Sequence, residues 1–136
     1  MGHVFGPSVK PVCASTGLKG EIAVASAAVV YTHSMNISFG KNFALKYKAS
    51  AETGTADVKI EIEESDRLPT TEGSSDTQWV TPEGVPEVET TLTDEVWHIK
   101  TLSLVVAPYL RFKITGNAAN VAGTVVEMYL LMQSEG

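Results

Sequence analysis

The chain has 136 residues, enough for one domain with a real core and too few for two ordinary ones. An apolar fraction of 43% against 19% charged residues excludes a disordered composition. Ten basic residues face sixteen acidic ones, the net charge is −6, and only Arg67 and Arg111 are arginines, which argues against a nucleic-acid partner.

Residues 1–20 read as an irregular N-terminal arm. Gly2, Gly6, Pro7, Pro11, Gly17 and Gly20 punctuate it, and no helical or strand period survives between them. Val4, Phe5, Val9 and Val12 are spread through it. The arm either packs along its own domain or docks on a neighbouring subunit, in which case these four are its partner contacts. Cys13 is the one cysteine, so no intrachain disulfide and no cysteine-built zinc site is available.

Residues 21–136 read as a β-sandwich domain. The run Ile22–Tyr31 is short of the ~18–20 apolar residues of a membrane helix, so no membrane partner is expected. It is not read as a signal peptide either: Glu21 abuts it, Met1–Phe5 carries no Lys or Arg, and the apolar run continues past the Ala25-Ser26-Ala27 cut. A non-secreted protein is expected.

Phe43, Leu45 and Tyr47 alternate with Ala44, Lys46 and Lys48. Val58, Ile60 and Ile62 alternate with Lys59, Glu61 and Glu63, and Leu110, Phe112 and Ile114 with Arg111 and Lys113. Period two with one wet face is the pattern of an antiparallel sheet. Ile22–Thr32 and Thr124–Gln133 are more evenly apolar and read as central strands or as strands buried against another subunit. Trp97, Ile99 and Thr101 alternate with Val96, His98 and Lys100, while Leu102, Leu104 and Val106 suggest a bulge or break near Thr101. Glu52-Thr53-Gly54-Thr55 reads as a hairpin turn, and Gly116–Asn120 with Gly123 as a second one. Residues 65–95 form a long excursion rich in Pro, Gly, Ser, Thr, Asp and Glu, with one short strand near Gln78–Val80. About eight strands and no helical period predict an all-β fold, an antiparallel β-sandwich of jelly-roll type.

Chemistry is absent where an enzyme would need it. His3, His33 and His98 lie apart and form no metal-ligand spacing, and no nucleophile elbow, P-loop or dinucleotide fingerprint occurs. No enzyme, catalytic residue, cofactor or metal is therefore expected. Acidic clusters at Glu61–Asp66 and Glu83–Glu95 lack calcium-loop spacing and read as a solvated edge.

The stretch from Pro108 to Asn120 (PYLRFKITGNAAN), the following TVVEMYLLMQ, and the earlier FALKYKAS and ADVKIEIEES resemble small virion structural proteins of tailed bacteriophages, with capsid decoration (cement) proteins the closest type. The resemblance implies a β-sandwich that oligomerises as a trimer or dimer and reinforces a phage head by binding neighbouring copies of the major capsid protein. The arm would reach over the lattice, and the protein would act at the capsid surface of the virion after assembly in the host cytoplasm. The alternative function is a carbohydrate-binding or lectin-like module, possibly of a phage tail or fibre. Under it, Trp79 in the long excursion is the sugar contact, while Trp97 alternates with residues expected outside or at an interface.

Overall fold

The structure is a computed structural model that describes residues 7–11, 21–38, 40–71, 73, 78–83, 87–102, 108–117 and 121–134. Among these residues ten strands run in the order β1 (Pro7–Pro11), β2 (Glu21–Ala23), β3 (Val29–Tyr31), β4 (Met35–Asn36), β5 (Gly40–Ser50), β6 (Val58–Ser65), β7 (Glu89–Leu92), β8 (His98–Leu102), β9 (Tyr109–Gly116) and β10 (Val125–Ser134). No helix occurs among the described residues.

All pairings are antiparallel and build two sheets. The first has the order β1-β10-β5-β8, and β2 lies end to end with β1 along the same edge of β10. The second has the order β3-β9-β6-β7, and β4 continues β3 along the edge of β9. From β4 onward nearly every connection carries the chain from one sheet to the other, which is the jelly-roll way of closing a sandwich.

The predicted alternation sets which side chains fill the space between the sheets. Phe43, Leu45, Tyr47 and Ala49 of β5 and Val126, Met128, Leu130 and Met132 of β10 face Val58, Ile60 and Ile62 of β6 and Leu110, Phe112 and Ile114 of β9, all buried. At roughly 25 cal/mol per Å² of apolar surface removed from water, this interior is the main stabilising term.

Several local expectations are corrected. Ile22–Thr32 is not one strand. β2 lies in the first sheet and β3 in the second, and a turn at Ala25–Ala28, with Ala27 at φ 57°, carries the chain between them. Small alanines permit this crossing where a continuous apolar run suggested a strand. Neither predicted hairpin forms, because β5 and β6 belong to different sheets and so do β9 and β10. Gly54 and Gly123 do take the positive φ values of tight turns, 76° and 75°, but a tight turn serves an arch between sheets as well as a hairpin. Among the described residues no bulge occurs near Thr101, and residues 103–107 lie outside them. The β5–β8 register runs unbroken from Tyr47↔His98 to Phe43↔Leu102, so His98, Lys100 and Leu102 share the inward phase.

Within the predicted arm, Pro7–Pro11 forms strand β1 against β10. Its two prolines stand at the ends of an edge strand, where a missing N–H costs least. Of the proposed arm contacts, Val9 is a β1 residue opposite Leu131 in register, while Val4, Phe5 and Val12 lie outside the described residues.

Candidate functional site

The two sheets present two different outer faces. On the second sheet, Arg111 of β9 points away from the core yet is only 1% exposed. Its Nε donates to Glu63 Oε1 at 2.7 Å, across the Glu63↔Arg111 register pair. Its guanidinium lies 4.0 Å from the ring centroid of Tyr31 on one strand and 4.5 Å from that of Trp79. A planar guanidinium suits such stacking, and a carboxylate partner makes its burial tolerable. Trp79 is brought over the sheet by the chain after β6. There Val80 bridges Glu64 through a Glu64 N–H to Val80 O bond of 2.8 Å and the reverse bond of 3.0 Å.

Trp79 is thus 6% exposed, and its buried Nε1 has no hydrogen-bond partner among the described residues. This corrects the expectation that it offers a ring to a sugar. A residue in a polar excursion looks exposed in sequence, but this excursion folds back over an arginine that must be covered.

The outer face of the first sheet is open. Trp97, immediately before β8, is 41% exposed, and Ile99 is 66% exposed. In register, Ile99 stands opposite Lys46, and Lys46 opposite Tyr129 of β10. Trp97 and Tyr129 lean towards each other over β5, with ring centroids 6.0 Å apart and planes tilted by 44°. Lys46 Nζ and Lys48 Nζ lie 4.8 and 5.0 Å from the centroid of the indole. Ammonium groups so placed are drawn to the ring face and help fix its orientation.

The segment carrying Trp97 is anchored on both sides. Glu95 Oε1 accepts from the Ala51 N–H at 3.1 Å. His98 stacks on Tyr47 at 5.4 Å, and its Nε2 lies 2.6 Å from Asp94 Oδ1. Tyr47 in turn donates to Glu89 Oε2 at 2.5 Å, and Lys100 Nζ to Val88 O at 2.8 Å, which ties β8 to the strand on the opposite sheet. Burial foremost, and then the Glu89 carboxylate, push the Tyr47 phenol well above its ordinary value. On the second sheet, Lys59 hydrogen-bonds Glu87 at 3.0 Å and holds that carboxyl below its usual range.

Two other features are less eventful. An open hollow of about 590 Å³ at one end of the sandwich is lined by Ala23–Ser26 and Val121–Val125, apolar apart from two hydroxyls. Among the described residues no three His, Cys, Asp or Glu side chains converge to hold a metal ion.

The chain matches no protein-family model and no curated protein sequence. Among solved structures it is similar to a GH26-CBM35 β-(1,4)-mannanase of Podospora anserina, at 10% identity and a TM-score of 0.46 over 98% of this chain. It spans only 29% of that enzyme. It is also similar to carbohydrate-binding module CBM36 in complex with calcium and xylotriose, with 16% identity, a TM-score of 0.37, and 95% of this chain and 90% of that one covered. A third likeness is to the module CBM6cm-2 of Cellvibrio mixtus lichenase 5A in complex with cellotriose, with 16% identity, a TM-score of 0.36, and 96% and 88% covered. None of the three is a virion protein, and no residue of the site is carried over from them.

Proposed function

We propose that this chain is a carbohydrate-binding module whose ligand lies on the outer face of the first sheet. The observation that carries the reading is Trp97, a large ring left 41% exposed although its supporting segment is anchored by hydrogen bonds on both sides. Exposed aromatic surface held rigid is unfavourable in water and marks an interaction site. The face of an indole stacks on the C–H face of a pyranose, and Tyr129 at 6.0 Å extends the shelf towards a second ring. The sugar contact expected at Trp79 is reassigned to Trp97 and Tyr129.

Affinity electrophoresis through gels carrying soluble polysaccharides tests the reading. The wild type is expected to be retarded by at least one of them, and Trp97→Ala to run freely with an unchanged circular dichroism spectrum. Retardation that survives Trp97→Ala would locate binding elsewhere.

A second reading keeps the virion resemblance. Val96 and Ile99, 56% and 66% exposed, flank Trp97 and extend the apolar surface along an edge strand. In a decoration protein a neighbouring subunit covers that surface. Light scattering separates the two readings: a defined dimer or trimer that Ile99→Lys dissociates favours the virion protein, and a monomer that binds glycan favours the module.

A further inference from the structure

Lys46 and Lys48 distinguish this platform from a bare aromatic shelf. They occupy successive outward positions of β5, and both ammonium groups reach over the same indole. The chain as a whole is acidic, with sixteen acids against ten bases. Three cations elsewhere are paired with carboxylates, Lys59 with Glu61 and Glu87, Arg67 with Asp66, and Arg111 with Glu63, while Lys100 donates to the Val88 carbonyl. Among the described residues neither Lys46 nor Lys48 forms an ion pair. Glu127 stands opposite Lys48 in register without forming one.

We infer that the platform takes an anionic glycan, one bearing carboxylate or sulfate groups. This rests on the carbohydrate-binding reading above. A neutral sugar can accept hydrogen bonds from these two cations, but it leaves their charge unanswered. An acidic one engages both features at once, with its ring on Trp97 and its charged group accepting hydrogen bonds from the ammonium donors. Attraction to the indole holds the lysines near the ring without consuming their N–H groups. A single-stranded nucleic acid also pairs stacking with charge, but neither arginine of the chain stands on the platform, since Arg67 pairs with Asp66 and Arg111 with Glu63, so oligo-dT enters the test as the competing occupant.

The test is a binding titration of the full chain against matched ligands: dextran sulfate with dextran, polygalacturonate with its methyl ester, and oligo-dT. Tighter binding to at least one charged member than to its neutral match, by about tenfold, is expected. The pair that shows the difference identifies sulfate or carboxylate. The double variant Lys46→Gln, Lys48→Gln should lose the margin between charged and neutral members, and Lys46→Arg, Lys48→Arg should restore it. Raising the salt from about 0.05 M to about 0.5 M should erode the margin in the wild type.

Equal binding of charged and neutral members, unaffected by the glutamine variant, would overturn the inference and leave the platform standing. No binding to any polysaccharide would overturn both. Preference for oligo-dT would replace the glycan with nucleic acid.

Discussion

Each outer face of this sandwich pairs a tryptophan with a basic side chain, and the two pairs have opposite fates. On the second sheet, Trp79 lies against Arg111 with both buried, and Glu63 completes the charge. On the first sheet, Trp97 lies beside Lys46 and Lys48 in the open, with no carboxylate joined to either among the described residues. The contact is the same kind of cation–π attraction in both places. Burial and a carboxylate turn it into part of the fold, and their lack leaves it available to something outside the chain.

Four comparisons sharpen or break this contrast, beginning with the largest effects. Trp79→Ala should cost about 3–5 kcal/mol in denaturant melts, as a buried aromatic lost over a covered charge, whereas Trp97→Ala should cost under about 1 kcal/mol. Equal losses would erase the distinction between the faces. Phe112→Ala calibrates the interior that both faces share. Fully buried, it should also cost about 3–5 kcal/mol, and a change below about 1 kcal/mol would contradict the inward assignment of β9.

Arg111→Ala should follow at about 3 kcal/mol, because it strips packing from two rings and leaves Glu63 without its guanidinium. The matching Lys46→Ala should stay within about 0.5 kcal/mol. Thermal melts of the two variants side by side give the comparison.

The smallest effect at neutral pH belongs to Tyr47, whose phenol is raised in the folded state from an ordinary 10.0. A raised folded value means the folded state holds its proton longer. Its contribution is present in full below pH 10.0 and declines as the pH climbs past that value. Chemical melts at rising alkaline pH should show the decline, and Tyr47→Phe should make it shallower. An identical slope in the variant would mean that Tyr47 is not the group involved.

The long strands were legible because period two leaves little choice of face. In Phe43–Ala49 and Val58–Ile62 every second residue is buried as expected. The partners of those strands were not legible. Gly54 and Gly123 announce turns, but a turn does not say whether the next strand pairs with the last or crosses to the other sheet. That choice is made by distant inner faces filling one space. β1 escaped notice because only Ser8, Val9 and Lys10 separate its prolines.

The candidate site was half legible. Lys46 and Lys48 show the wet face of their run, but Trp97 alternates with the residues expected outside, and the structure reverses that phase by leaving Trp97 and Ile99 exposed. Their meeting depends on β8 pairing with β5, which no local signal announces. Trp79 misled for the reverse reason. Its polar neighbours suggested solvent, while the arginine it covers lies 32 residues further along the chain (111 − 79).

The most direct test of the open platform is the fluorescence of Trp97 alone, in a Trp79→Phe variant titrated with polysaccharide. The account predicts a saturable blue shift or intensity change as the indole face is covered, absent in the complementary Trp97→Phe variant, whose signal comes from buried Trp79. A Trp97 signal that stays unchanged while the polysaccharide binds would contradict it.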